Sequence, residues 1–189
     1  MPGEDKPWFK SWPSDVPKNL TYPDISLHEI LIRTAKAYPG QAAIVSSDQE
    51  ITYHELDSFT NKFAGALTAL GVKKNDRVAL FLPNIPQFII AYYGILKAGA
   101  VLTAISPVHK EREVVQQLAD SEAETIITSD SAYPIVDVIK CKTKLKNIII
   151  TSLSKFSKTV TEQIGMVGAP NVCSFEKLLK TNSEQPKIS

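Results

Sequence analysis

The sequence predicts an α/β protein, an open and mostly parallel sheet with helices on its faces, preceded by an N-terminal arm, helices and a small hairpin. Two observations predict it. Apolar runs of strand length alternate with helical segments from residue 77 to residue 151, which is the pattern of a parallel sheet wound with crossover helices. Within that region residues 77–107, RVALFLPNIPQFIIAYYGILKAGAVLTAISP, read as one complete strand, helix and strand unit. The chain divides accordingly into an extended arm (1–25), a helix-hairpin-helix segment (26–71), the parallel α/β subdomain (72–151), and a loop with a short helix (152–189).

The arm carries Pro7, Pro13, Pro17 and Pro23, so it forms neither a long helix nor a central strand. Trp8, Phe9, Trp12 and Tyr22 are costly to leave in water and are expected to staple it to the body. Ser26 and Glu29 have capping-box spacing, opening a helix to about Tyr38 that Pro39-Gly40 ends. Residues 42–45 and 50–52 are strand-like on either side of Ser46-Ser47-Asp48-Gln49, a hairpin. Thr52 and Glu55 repeat the capping-box pattern, and Leu56, Phe59, Phe63, Ala66, Leu67 and Leu70 follow at helical spacing until Gly71. In the central unit Val78 to Leu82 is the continuous apolar run of a strand covered on both faces. Asn84 is a cap candidate, Pro86 suits a first helical turn, and Gly99 terminates the helix before a second apolar run. Residues 110–121 then read as a helix and 124–128 as a strand. A helix capped by Asp130 or Ser131 and bent early by Pro134 leads to a last strand over 147–151. Residues 159–169 read as a loop and 175–179 as a short helix.

Composition narrows the function classes. The chain has 189 residues, 43% hydrophobic and 22% charged, which suits a globular domain with a sizeable core. Its net charge of +1 gives no global field for nucleic acid, and Lys140, Lys142, Lys144 and Lys146 read as a solvated helix end. Cys141 and Cys173 stand alone, without metal-ligand spacing, and the arm lacks the layout of a signal peptide, so the cytoplasm is the expected location. Residues 87–105 approach the roughly 20-residue length of a membrane span. Lys97 would then sit mid-bilayer at a cost of at least about 2.5 kcal/mol, and Gly99 breaks the run. Gly94 and Gly99 have P-loop spacing, but Ala100-Val101 stand where Lys-Ser/Thr would hold phosphate and magnesium.

No nucleophile motif, zinc motif or dinucleotide fingerprint occurs. His28 and His54 fall in first turns of helices and read as surface imidazoles, and His109 has no partner that would make it catalytic. Glu111 with Glu113, and Glu122 with Glu124, are bracketed by cations or strands and read as solvated. No catalytic, cofactor-binding or metal-binding residue is assigned.

Several strings together resemble the adenylate-forming enzymes, the superfamily of acyl-CoA synthetases, adenylation domains and luciferases. Residues 51–56, ITYHEL, are similar to the family's early (L/I)-T-Y-x-E-L string, and residues 96–101, LKAGAV, to its L-K-A-G-A string. Gly71-Val72 with Asp76-Arg77-Val78-Ala79 resembles G-V-x-x-G-D-R-V-A, with Asn75 in place of the glycine. Leu82-Pro83-Asn84 is similar to the post-strand turn, and Glu111, Leu118, Asp120 and Ser121 to the R-E-L-x-x-x-L-x-D-S helix. The arm, through Trp8, Trp12-Pro13, Val16-Pro17, Tyr22-Pro23 and Ser26-Leu27, resembles the long-chain fatty acid CoA ligases.

That resemblance implies the N-terminal portion of an acid:CoA ligase using ATP, Mg²⁺, CoA and a fatty acid. The family's phosphate loop, adenosine contacts, hinge and catalytic lysine fall downstream of these residues, so the resemblance implies that 26–71 packs on a further subdomain and that 152–189 is the linker to that downstream region. The segment alone is therefore expected to be inactive, with Leu27, Leu31, Phe59 and Phe63 on an orphaned apolar face that drives self-association. The alternative is a stand-alone, non-catalytic binding or assembly module whose ligand meets the loops after Leu82 and Ile105.

Overall fold

The computed structural model describes residues 6–46, 49–153 and 171–181. Five strands, β3 (Arg77–Phe81), β4 (Val101–Ala104), β5 (Thr125–Ser129), β6 (Asn147–Thr151) and β7 (Val172–Ser174), form one sheet in the order β4-β3-β5-β6-β7. Every pairing in it is parallel. The antiparallel hairpin β1 (Ala42–Val45) and β2 (Glu50–Thr52) stands apart as a second, two-stranded sheet. Near-continuous burial of β3, β5 and β6 follows from helices on both faces.

Alternation along these strands sorts their side chains into two cores. Leu80, Leu82, Ile127 and Ile149 face α1 (Leu27–Ala37), α2 (Tyr53–Ala69), α3 (Pro86–Lys97) and α6 (Phe175–Thr181). Ala79, Phe81, Ile126 and Ile150 face α4 (Glu111–Ser121) and α5 (Tyr133–Ile139). The helices α3 and α4 thus cross on opposite faces, and the winding reverses between β3 and β5.

The contact between α2 and α3 holds the first core together. Gly94 sits against the Phe63 ring, where a Cβ would lie 2.7 Å from Phe63 Cδ1. Phe63 has no room to retreat, because Phe175 lies across it with ring centroids 4.5 Å apart. One turn further, Lys97 is 4% exposed and its ammonium donates to Asp57 Oδ1 and Asn61 Oδ1, both at 2.6 Å. Burial pulls the Lys97 pKa below its ordinary value, while the Asp57 carboxylate pushes back.

Several local expectations are corrected. Thr52 and Glu55 form their reciprocal capping box, whereas Ser26 lies beside His28 Nε2 and Glu29 pairs with Arg33 instead of reaching back. Ile85, not Asn84, precedes α3, with Pro86 in its first turn. Pro134 opens α5 rather than bending it, and the preceding turn is held by Ser129 Oγ accepting from the Ala132 N–H, not by a cap from Asp130 or Ser131.

The stretch 171–181 is no mere linker, since β7 extends the sheet and Phe175 is fully buried against α2. The loop expected over 159–169 lies outside the described residues. Of the four side chains expected on an orphaned face, Leu31 and Phe63 are buried within this chain, Phe59 is half-buried and Leu27 is exposed. The arm is not stapled down: Trp8 is 57% and Tyr22 78% exposed, and its short 3-10 turn Pro7–Ser11 buries nothing.

Three stability predictions follow from the α2–α3 contact. Gly94→Ala forces the added methyl into a trapped ring and should lower stability by about 1–3 kcal/mol, read as a fall in the urea midpoint at unchanged slope. Asp57→Ala leaves a buried ammonium without its counter-charge and should cost about 3 kcal/mol or more, exceeding Lys97→Met, which leaves only a partly exposed carboxylate. Since folding lowers the Lys97 pKa from 10.5, the unfolded chain holds more protons below that value. Its contribution to stability therefore rises with pH on approach to 10.5, and that rise should vanish from a denaturation series on Lys97→Met.

Candidate functional site at the carboxyl ends of the strands

A doubly wound parallel sheet leaves a crevice where the winding reverses, outside the carboxyl ends of its strands. Here the crevice is bordered by the turn after β3, Leu82-Pro83-Asn84-Ile85, and the turn after β5, Asp130-Ser131-Ala132. Gln87, in the first turn of α3, is 1% exposed and spans the end of β5 to reach β6. Its Nε2 donates to Thr151 Oγ1 at 3.2 Å and to the Ser152 carbonyl at 3.1 Å. The Thr151 hydroxyl donates to Glu176 Oε1, and the Ser174 hydroxyl donates to the other oxygen of that carboxylate. Asp130 accepts from the Ser152 hydroxyl at 2.8 Å and from the Ser131 N–H.

This network ties α3, β5, β6 and α6 together at one edge. Three buried atoms there keep spare hydrogen-bonding capacity: Gln87 Oε1, Thr128 Oγ1 and, in the loop after β4, His109 Nδ1. Among the described residues no His, Cys, Asp and Glu cluster could hold a metal ion.

The remaining sequence candidates are dispersed. His28 lies near Lys97, and burial with that positive neighbour lowers its pKa. Glu113 reaches back to the Lys110 N–H at the start of α4 and is held below the usual carboxylate range by backbone hydrogen bonds. Within the lysine ridge Lys140 pairs with Asp137, Lys144 with Glu122 and Lys146 with Glu124, so most of its charge is locally matched. Cys141 and Cys173 are free thiols. No helix among the described residues is long and apolar enough to cross a membrane.

A cavity of about 320 Å³ opens at the opposite end of the sheet, lined by Gly71, Asp76, Arg77, Glu124, Lys146 and Asn147 among others. Its polar groups are already engaged. Arg77 donates to the Ser121 carbonyl, Asp76 accepts from the Lys73 N–H, and Asn147 donates to Thr125 Oγ1. The cavity is therefore a seam in the scaffold, away from the crevice.

Two of the resemblance strings meet beside that seam. Gly71 and Gly99 have φ of +88° and +74°, and Asn75 has φ of +68°. The Asn75 N–H donates to the Gly99 carbonyl at 2.9 Å, and the Val101 N–H to the Asp76 carbonyl at 2.8 Å. Asparagine tolerates the left-handed region better than most residues, which is why Asn75 serves where the family string has glycine.

Fold and motif geometry together define a doubly wound, parallel α/β scaffold. Comparison with known proteins agrees: residues 31–185 match the family model of the AMP-binding enzymes, and the chain belongs to that family. It is 36% identical over 151 residues to a long-chain-fatty-acid–CoA ligase of Bacillus subtilis, covering 80% of this chain and 27% of that protein. It is 37% identical over 152 residues to the ligase of the same name from Salmonella typhimurium, covering 78% and 27%. Among solved structures, a long-chain-fatty-acid-CoA ligase from Archaeoglobus fulgidus superposes with a TM-score of 0.73 at 22% identity, over 89% of this chain and 33% of that one. The chain thus spans about a quarter of the length of these curated relatives, in their N-terminal portion.

The network at the crevice was missed in the sequence because Gln87, Thr151 and Glu176 are far apart in the chain and each type is ordinary alone. A glutamine in the first turn of an otherwise apolar helix was the available signal. Gln87→Leu removes two donated bonds and strands the Ser152 carbonyl, and should cost about 1–3 kcal/mol in denaturant unfolding. Its amide exchange should quicken first at the Thr151 end of β6.

Proposed function

We propose that residues 1–189 supply the first parallel α/β layer of an ATP-dependent, AMP-forming fatty acid:CoA ligase. The observation that carries this is the 36% identity to the Bacillus subtilis ligase over most of the chain, on a chain that belongs to the AMP-binding enzymes. In that reaction a carboxylate oxygen attacks the α-phosphorus of ATP and pyrophosphate leaves, giving an acyl-adenylate. The CoA thiol then attacks the acyl carbon, a thioester forms, and AMP departs with the bonding pair of electrons.

ATP with Mg²⁺ supplies the activating group and CoA the acceptor, but the described residues do not fit either as a binding set. Asp130 and Glu176 are already hydrogen-bonded by Ser152, Thr151 and Ser174, and no phosphate-cradling loop is present among the described residues. What these residues do is position. The sheet and the Gln87 network fix the crevice wall on which the rest of a ligase would rest its ligands. The same reading places the enzyme in the cytoplasm, supported by the two free thiols. Of the side chains expected to drive self-association, Leu27 stays exposed and Phe59 half-buried, whereas Leu31 and Phe63 are spent inside the chain; light scattering that gives a monomer removes self-association from this reading.

The test is carboxylate-dependent ATP–pyrophosphate exchange. The complete gene product should catalyse exchange with a long-chain fatty acid, and residues 1–189 alone should not. Absence of exchange with short, medium, long and aromatic acids would overturn the ligase reading, and a stop codon directly after Ser189 would favour the stand-alone binding module.

A further inference from the structure

Helix α1 is held to the rest of the fold by few side chains. Of its 11 residues only Leu31 and Ala35 are buried, while Leu27 and Ile30 stay exposed. It packs against α2 and α3, and none of the side chains at 6–25 is buried, so nothing upstream holds it down. An element attached in this way opens at low free-energy cost, and a small change in its electrostatics moves that equilibrium.

His28 lies in the first turn of α1 and is half-buried, with Ser26 Oγ 3.2 Å from its Nε2. The charges on the three helices leave a protonated imidazole there no counter-ion. Helix α1 carries Glu29, Arg33 and Lys36, α2 carries Glu55, Asp57 and Lys62, and α3 carries Lys97 alone. Each carboxylate among them is engaged: Glu29 with Arg33 at 2.7 Å, Glu55 with the Thr52 N–H and hydroxyl, and Asp57 with Lys97 at 2.6 Å. A helix N-terminus also disfavours a cation in its first turn. The other titratable side chains of α2 and α3 are His54, which is exposed, and the phenols Tyr53, Tyr92 and Tyr93, a class that ionises at about pH 10. Burial and then Lys97 hold the His28 pKa below 6.5, outweighing the opposite pull of Glu29.

We propose that His28 is an acid-operated latch on α1: neutral, it lets the helix rest on α2 and α3, and protonated, it lifts the helix from them. The docked helix favours the neutral ring, whereas lifting returns that ring to water. Docking is therefore at full strength above 6.5 and weakens as pH falls from there through the lower value of the docked state. Below both values the ratio of lifted to docked helix has grown by about tenfold for each unit between them. Lifting uncovers Leu31 and Ala35 together with the apolar side of α2 beneath them, and leaves the sheet in place. The proposal is independent of the ligase reading, since it concerns the seating of α1 and no catalysed step.

Amide hydrogen exchange of residues 1–189, corrected for the pH dependence of the intrinsic rate, tests the latch. On going from about pH 7.5 to about pH 5, the amides of Leu27–Ala37 should lose protection several-fold while those of β5 and β6 keep theirs. His28→Gln, uncharged at both values, should leave α1 equally protected throughout. His28→Arg, charged at both, should show the lifted α1 already at neutral pH, with no further change on acidification. In proton NMR, the imidazole signal that His28→Gln removes should titrate below 6.5, over the same range in which α1 loses protection. Unchanged protection of α1 in the wild-type chain would overturn the proposal. An equal loss of protection in His28→Gln would also overturn it and assign the effect to His54 or to the carboxylates.

Discussion

The close approach of α2 to α3 is the constraint on which the rest of the structure depends. Gly94 lets two helix backbones come together at Phe63, and the same contact brings Lys97 within reach of Asp57 and Asn61. A buried ammonium is tolerated only where an acid and an amide stand at the right height on the facing helix. The pair therefore fixes the register of α2 on α3 as well as contributing to stability. With α2 so placed, Phe63 and Leu67 fill the middle of one sheet face, and Phe175 closes over them from α6. The segment 26–71 and the sheet of 72–151 thereby share one core, and the boundary drawn between them in the sequence is not a boundary in packing.

The sheet has two ends with different physics. At the amino ends, Gly71, Asn75 and Gly99 adopt left-handed backbone conformations and β3 and β4 are tied by main-chain bonds through Asp76 and Gly99. Side chains there are matched to one another, as Arg77 is to the Ser121 carbonyl. At the carboxyl ends, polar groups are buried and Gln87 and Thr128 retain spare capacity. Orphaned polar atoms cost free energy, and among the described residues they lie towards this end of the sheet.

Much of the fold was legible because its signals are local. The β3–α3–β4 unit needs only a strand-length apolar run, Pro86 and Gly99, all within 31 residues of sequence. The failures are non-local or depend on geometry that spacing does not encode. Strand β7 has three residues and exists because β6 offers it an edge, which no window around Val172 reveals. Ser26 and Thr52 have the same capping-box spacing, yet only Thr52 closes its box, because the Glu29 carboxylate is drawn to Arg33 one turn along the helix. The arm was misjudged for the same reason: Trp8 and Trp12 meet Phe9 and stay exposed rather than packing on the body.

The candidate site was barely legible, for a reason that the placement of the resemblance strings makes plain. Thr52-Glu55, Gly71, Asn75 and Gly99 are caps and left-handed turns, positions where backbone geometry restricts the residue type to one or two. Such positions mark a sequence as belonging to a fold whatever its chemistry, because the constraint, steric at the left-handed turns and hydrogen-bonded at the cap, is local. A crevice wall is different. Gln87, Thr151 and Glu176 act through hydrogen bonds between elements 64 and 25 residues apart, and many residue types would satisfy the backbone at each place. Family membership is therefore read from residues that do no chemistry, and the side chains that shape the crevice emerge only once the sheet has brought three distant segments to one edge.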